Sequence, residues 1–209
     1  GSGRSITILR LASDAMLELR AGIRLAHFTM CRDAVSNEFL GETSVGASFS
    51  RVSNVRAPAL IEVTQGSSGR IEQCDLCNIA GSAIKVSGAH TSPTITRNTI
   101  HGCRDTGVVF RDGADGSLIN NRLFGNCSVA IEVHSRANPL IEDNDVFDGR
   151  QGGVFVYNRG KGHLRRNKIF RNALEGVEIK QGGRPLVDDN DIYDNLECGI
   201  FIHEGGEGR

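Results

Sequence analysis

The chain has 209 residues, of which 23% are charged, and a formal net charge of −1. This balance predicts neither a nucleic-acid partner nor a membrane partner, and the apolar runs are far shorter than a membrane span. Glycine accounts for 26 residues, whereas there are only two tyrosines and no tryptophan. Such a composition indicates many tight corners around a thin aliphatic core.

The N-terminal part has the least regular pattern. The segments GIRL at 22–25 and LIEV at 60–63 resemble one recurring strand, but their starts lie 38 residues apart. An insertion at 32–44 would account for the extra length. We therefore expect residues 1–50 to form irregular coils or a cap, and residues 51–209 to form regular coils.

One pattern repeats through the rest of the chain. Its marker position recurs after 24 and then every 23 residues, at Cys74, Asn98, Asn121, Asn144, Asn167 and Asn190. Aliphatic residues occupy the positions three before and two after each marker. A small residue stands nine positions after the marker, and apolar residues stand ten and twelve positions after it. A coil of 23 residues holds three short strands, whereas helical repeats need about 33 residues or more. The sequence predicts an all-β fold, a right-handed single-stranded parallel β-helix with three strands per coil.

The asparagine column has a structural explanation. Amide side chains stacked along a solenoid axis hydrogen-bond to one another and to the backbone of the corner. We predict a buried ladder, rather than a ligand-binding row, made of Asn98, Asn121, Asn144, Asn167 and Asn190.

Cysteine and histidine do not form a metal set. Cys74 and Cys77 make a lone CxxC pair, and Cys74 occupies the marker position, so core filling explains it better than metal binding. The later cysteines fall in different columns of the repeat, which indicates free thiols in a reducing compartment. Of the histidines, only His134 and His203 share a column. We expect no metal, no cofactor and an intracellular location, cytoplasmic or nuclear.

A period of two coils overlies the single-coil repeat. Glycine and proline alternate five residues before the marker, at Gly69, Pro93, Gly116, Pro139, Gly162 and Pro185. The coil around Asn144 is acidic, the next is basic and the third is acidic again. This alternation predicts ion pairs between neighbouring coils.

Three segments carry a resemblance to a known family: NPLIEDN at 138–144, GKG at 160–162 and GGRPLV at 182–187. Residues 69–209 resemble the CASH-type parallel β-helix repeats of F-box only proteins, which are substrate receptors of cullin-based ubiquitin ligases. The resemblance implies a recognition surface for a client protein and no catalytic residues.

Outward positions along the strand GVEI at 176–179 and its equivalents suit a binding surface. Large apolar residues recur there in alternate coils with cations at their edge, which is typical of a groove for an extended or acidic peptide. The predicted partner-binding residues are Val109, Arg111, His134, Phe155, Tyr157, Lys180, Phe201 and His203. The alternative is that a loop or a further domain covers them.

These features favour a non-enzymatic protein-interaction scaffold with a protein client or peptide as partner, and the resemblance implies the substrate-recognition region of an F-box-type ubiquitin ligase. The alternative is a carbohydrate-binding or polysaccharide-cleaving β-helix. Glu132 and Glu178 point outward two coils apart with Phe155 between them. Their backbones would be about 9.6 Å apart, at the outer limit for the carboxyl groups of an inverting glycosidase.

The last coil is expected to leave an apolar end. The GEG at 206–208 matches the GKG at 160–162, but the chain stops one residue short of the next aliphatic position. We therefore expect a fragment of a longer solenoid that associates end to end, because association would bury Ile200 and Ile202.

Overall fold

The computed structural model describes residues 7–10, 15–19, 24–32, 48–51, 59–64 and 66–209. These residues wind into a right-handed parallel β-solenoid of about six turns, with three sheets and about 23 residues per coil. The fold predicted from the repeat period is confirmed.

Three sheets run along the solenoid axis. Sheet I consists of Thr7–Arg10, Phe28–Arg32, Asp75–Asn78, Thr99–His101, Arg122–Phe124, Asp145–Phe147, Lys168–Phe170 and Asp191–Tyr193. Sheet II consists of Arg24–Ala26, Arg70–Glu72, Thr94–Thr96, Ser117–Ile119, Leu140–Glu142, His163–Arg165 and Leu186–Asp188. Sheet III consists of Ser48–Arg51, Ala15–Leu19, Ile61–Val63, Ile84–Ser87, Val108–Arg111, Ile131–Val133, Val154–Val156, Val177–Ile179 and Ile200–Ile202.

Each coil visits the sheets in the order II, I, III, and its strands are only three or four residues long in the regular part. Sheets II and I direct the middle residue of a strand inward, as Ile141 and Val146 show. Sheet III directs the residues on either side of the middle inward, as Val154 and Val156 show. All four are at most 1% exposed, so each inner coil adds four apolar side chains to a continuous core.

A two-residue corner joins sheet II to sheet I. Its first residue has a left-handed backbone, with φ between 53° and 57° at Gln73, Arg97, Asn120, Asp143, Arg166 and Asp189. Its second residue is the marker asparagine or, in one coil, Cys74. A corner this short leaves backbone donors unpaired, and the marker side chain satisfies them.

The marker asparagines form a hydrogen-bonded ladder along this corner. Oδ1 of Asn144 accepts from the backbone N–H of Asn121 (2.9 Å) and from its Nδ2 (3.0 Å). Nδ2 of Asn144 donates to the carbonyl oxygen of Leu118 (2.8 Å) and to Oδ1 of Asn167 (2.9 Å). Asn98, Asn121, Asn144 and Asn167 are buried, and Asn190 in the last coil is half-buried.

A second amide row, which the sequence analysis missed, lies five residues after the markers. Asn126, Asn172 and Asn195 occupy this row at the corner between sheets I and III. Oδ1 of Asn126 accepts from the N–H of Cys103 (3.0 Å), and Oδ1 of Asn195 accepts from the N–H of Asn172 (3.1 Å). The row is discontinuous because Cys103 and Gly149 interrupt it, which weakens its signal in the sequence.

One expectation for the N-terminal part, the equivalence of GIRL and LIEV, is corrected. The partner of Ile61–Val63 in sheet III is Ala15–Leu19, not the GIRL segment. Arg24–Ala26 belongs instead to sheet II, where it pairs with Arg70–Glu72. Both sheets accept short alternating segments, so the pattern alone did not distinguish them. The strand Ser48–Arg51 pairs antiparallel with Ala15–Leu19, and the insertion expected at 32–44 lies outside the described residues except for Arg32.

Ion pairs join neighbouring coils where the charges alternate. Nε of Arg165 lies 2.5 Å from Oε1 of Glu142, and Nε of Arg171 lies 2.8 Å from Oδ1 of Asp148. Hydrogen bonds from Arg171 lower the pKa of the Asp148 carboxyl. The Arg171–Asp148 pair is exposed at both partners and reinforces the register only slightly, since such pairs contribute about 0 to 1 kcal/mol each, whereas Glu142 is buried.

The last coil leaves its apolar residues open. Ile200 is 45% exposed and Ile202 is 48% exposed, and no described strand pairs with the outer side of Ile200–Ile202. End-to-end association through this surface stays a prediction.

Replacing Asn144 by leucine tests the ladder. We expect Asn144→Leu to lower the free energy of unfolding by roughly 1 to 3 kcal/mol, because the N–H of Asn121 and the carbonyl of Leu118 lose a buried partner. Urea unfolding followed by circular dichroism measures the change. The control is Asn138→Leu, at an exposed position of the same coil. Equal urea midpoints for both variants would contradict a stabilising ladder.

Candidate functional site

The outer surface of sheet III, here named the sheet III face, carries most of the predicted binding residues. Its central column contains Lys85, Val109, Glu132, Phe155, Glu178 and Phe201, which are register partners in successive strands. Its edge column contains Arg111, His134, Tyr157, Lys180 and His203, each two residues further along the chain. Because register partners in a parallel sheet lie about 4.8 Å apart, side chains of three successive coils meet on this face.

Glu132 is held by donors from two other coils. The Tyr157 hydroxyl donates to Oε1 of Glu132 over 2.5 Å, and Oγ1 of Thr106 donates to Oε2 over 3.2 Å. Thr106 is buried, so it fixes the carboxylate from the protein side, while Tyr157 reaches it from the surface. The carboxylate therefore has a defined orientation before any ligand arrives.

Glu178 has a comparable setting two coils further along. Nε2 of His203 lies 2.9 Å from Oε1 of Glu178, and Nζ of Lys180 lies 3.4 Å from the same oxygen. Nζ of Lys180 also lies 4.9 Å from the ring centroid of Phe155. A carboxylate, an ammonium group and an aromatic ring thus occupy one small area.

The aromatic rings pack in short groups. Tyr157 stacks on Phe155 with a centroid distance of 4.4 Å and on His134 with 4.9 Å. Phe201 stacks on His203 with 4.4 Å and is 39% exposed. Because Glu178 separates the two phenylalanines in the central column, Phe155 and Phe201 are not register partners and leave apolar surface beside polar groups.

Two predicted residues depart from the expected surface. Val109 stands in the central column but is only 5% exposed, so the expectation that it contributes a large apolar contact is corrected. His134 is partly buried, and this burial lowers the pKa of its imidazole despite the opposing influence of Glu132 and Asp112. Its Nδ1 lies 2.9 Å from Oγ of Ser135.

Sheet I carries a different aromatic column. His101, Phe124, Phe147, Phe170 and Tyr193 stack face to face from coil to coil, with centroid distances of 5.0 to 5.2 Å. Within this stack both faces of each inner ring meet another ring, so that mainly ring edges reach the solvent. We interpret this column as structural.

The described residues contain no cluster of three or more His, Cys, Asp or Glu side chains suited to a metal ion. None of the six cysteines forms a disulfide. Burial raises the pKa of the Cys103 thiol to about 12 and also raises that of Cys74, so both thiols are protonated at neutral pH. Within the part of the chain that is described, no helix is long and apolar enough to cross a membrane.

Two solved structures are similar to this chain. The A-module of mannuronan C-5 epimerase AlgE6 from Azotobacter vinelandii matches with a TM-score of 0.55 and 12% identity, over 93% of this chain and 69% of that one. Pectate lyase Pel9A matches with a TM-score of 0.39 and 9% identity, over 88% of this chain and 70% of that one. At these identities the likeness shows the fold alone, and the second score is too low to support an argument.

Sequence comparison identifies the type of repeat only. No curated protein matches the chain. The comparisons support the parallel β-helix part of the expected resemblance and give no support to the CASH-type or F-box subtype. The family model described as "Right handed beta helix region" matches residues 40–184, which is more than half of the sequence. The chain therefore belongs to the right-handed β-helix family.

Proposed function

We propose that the sheet III face binds an extended polysaccharide strand. The observation that carries the proposal is the alternation of carboxylates and aromatic rings in one column: Glu132, Phe155, Glu178 and Phe201. A sugar ring presents C–H groups on its faces and hydroxyl groups around its rim. Aromatic rings suit the faces, and oriented carboxylates suit the hydroxyls.

The spacing supports a linear ligand that follows the solenoid axis. Phe155 and Phe201 stand two strands apart, roughly 9.6 Å. Successive sugars of an extended chain would therefore meet alternating aromatic and polar groups. His203, Lys180 and Tyr157 already hold the glutamates, so little side-chain ordering would remain to be done on binding.

The comparisons favour this proposal over the protein client expected from the F-box resemblance. The epimerase that shares the fold is named for mannuronan, a polysaccharide. The likeness concerns the fold only, so the support for a saccharide ligand rests mainly on the side chains of the sheet III face.

A second candidate, hydrolysis of the bound polysaccharide, is favoured by the spacing of the two glutamates. Glu132 and Glu178 flank Phe155 at a backbone separation of about 9.6 Å, at the outer limit for an inverting pair that admits a water molecule. One carboxyl group would protonate the glycosidic oxygen, and the other would take a proton from the attacking water.

Truncating the two rings tests the binding proposal. We expect Phe155→Ala/Phe201→Ala to weaken binding to the best ligand of a panel of soluble polysaccharides by about tenfold or more, because two apolar contacts are lost. Affinity electrophoresis identifies the ligand, and calorimetry measures the dissociation constant. The matched control is Phe147→Ala in the stack of sheet I, with thermal unfolding recorded for both variants. Unchanged affinity of a folded double variant would refute the proposed binding face.

Replacing both glutamates by glutamine separates binding from hydrolysis. We expect Glu132→Gln/Glu178→Gln to bind within about threefold of the original protein, because glutamine keeps the shape and the hydrogen-bonding oxygen. If the pair hydrolyses the ligand, the original protein releases new reducing ends and the variant loses at least about a hundredfold of that rate. No release by the original protein, or equal release by the variant, would reject the second candidate.

A further inference from the structure

The corner that follows sheet III has an unusual backbone. In each coil from Arg111 onward, two successive residues adopt left-handed conformations, such as Ser135 and Arg136 with φ of 52° and 66°. At the second of these positions three coils have glycine, at Gly113, Gly182 and Gly205, and two coils have arginine, at Arg136 and Arg159. A left-handed conformation is unfavourable for a residue with a Cβ atom, so arginine is less stable here than glycine.

Contacts within the protein do not account for these two arginines. Arg166 and Arg171 are also left-handed, but each pairs with an aspartate of the preceding coil. Arg136 and Arg159 are exposed, and no carboxylate among the described residues lies within ion-pair distance of either. Arginine therefore stands where equivalent coils use glycine and no internal ion pair offsets the strain, which makes contact with a ligand the candidate explanation for these two residues.

Two further cations extend the row at the same corner. Lys161 and Arg184 are exposed and belong to successive coils. Each stands two residues after the second left-handed position of its coil. Arg184 reaches Glu207 at 3.6 Å, whereas Lys161 has no ion pair in the described part of the chain. We name Arg136, Arg159, Lys161 and Arg184 the cation ridge. Aspartates precede it at 112 and 115 and glutamates follow it at 204 and 207, so acidic residues stand at both ends of the ridge.

The cation ridge lies directly beside the sheet III face. Arg136 and Arg159 follow His134 and Tyr157 of the edge column by two residues. Both line a shallow depression of about 540 Å³, together with Ala89, Asp112, Gly113, Ser135 and Asn158. Lys161 and Arg184 line a second depression, of about 370 Å³, together with Pro185, Leu186, Glu207 and Arg209. A strand bound on the face would thus have its substituents within reach of four cations.

We infer that the ligand of the sheet III face is an anionic polysaccharide whose carboxylate or sulfate groups bind the cation ridge. This inference rests on the proposed function and adds the chemical class of the ligand. Guanidinium groups bind carboxylate and sulfate oxygens through paired hydrogen bonds, which makes Arg136 and Arg159 the main contacts. The acidic residues at both ends of the ridge limit the site to a few anionic groups, which disfavours a long nucleic-acid strand.

Glycine substitutions at the two arginines test the inference without harming the fold. Arg136→Gly/Arg159→Gly installs the residue that equivalent coils already have, so the thermal midpoint should stay equal or rise. The control, Arg97→Gly, removes an exposed left-handed arginine at the distant corner between sheets II and I. The probes are polygalacturonate, its carboxyl-reduced neutral form, dextran sulfate and dextran, with DNA as a separate arm.

We expect the original protein to bind one of the two anionic polymers at least about tenfold more tightly than its neutral counterpart, with affinity that falls as salt is added. The double variant should lose most of this preference, while Arg97→Gly keeps it. Preference for polygalacturonate would identify carboxylates, and preference for dextran sulfate would identify sulfate esters. Calorimetry at two salt concentrations measures each pair.

Several outcomes would overturn the inference. Equal binding of charged and neutral polymers that still depends on Phe155 and Phe201 would leave the proposed function intact and reject the anionic ligand. An anionic preference that survives in the double variant would reject the cation ridge as its source. Tighter binding to DNA than to every polysaccharide would reject the ligand class. Binding to none of the probes, nor to the wider panel, would reject the proposed function itself.

Discussion

The constant register between coils is the constraint on which the rest of the structure depends. A strand of three residues cannot stabilise itself, so each coil relies on hydrogen bonds to the coils above and below it. The tight corner between sheets II and I fixes this register, because each marker asparagine bonds to the backbone and side chain of the same residue one coil away. A slip by one residue would leave every corner donor unpaired and turn the aliphatic residues outward.

The same register assembles the candidate site from residues that are distant in the sequence. Tyr157 meets Glu132 and His203 meets Glu178, and in both cases 25 residues separate the partners. That separation is one coil plus two residues, so the edge column of one coil reaches the central column of the preceding coil. A 23-residue period therefore creates repeated sites automatically, and the side chains at each repeat decide which of them has a function.

Much of the fold could be predicted because its cause is periodic. Aliphatic residues and asparagines recur at the same positions often enough to outweigh local secondary-structure propensity. The number of strands per coil therefore followed from the length of the period. GIRL was assigned to the wrong sheet because it and the strand Ala15–Leu19, with the sequence AMLEL, both satisfy a short alternating pattern. The second amide row was missed because Cys103 and Gly149 interrupt it. In both cases the repeat pattern was too short or too interrupted to assign the residues to their positions.

The site was less predictable, because exposure and partners depend on neighbouring coils. Val109 occupies an outward column and is nevertheless buried, and the hydrogen bonds of Glu132 appear only once Thr106 and Tyr157 are placed in space. Column membership indicates which way a side chain points. It does not indicate what covers that side chain or what holds it.

The contrast between the two aromatic columns explains why one face suits a ligand better. In sheet I, rings follow rings at the register spacing, so each inner ring is satisfied by its neighbours and contributes to the solenoid itself. In the central column of sheet III, glutamates alternate with phenylalanines, so no ring stacks on its register partner. This arrangement gives up aromatic stacking and holds carboxylates beside apolar rings, which a purely structural column would not require. At the adjacent corner, Arg136 and Arg159 replace the glycine that equivalent coils have at a left-handed position, which is a second departure from the most stable choice beside the same face. Two departures from the most stable residue choice beside the sheet III face are better explained by a bound ligand than by the needs of the fold.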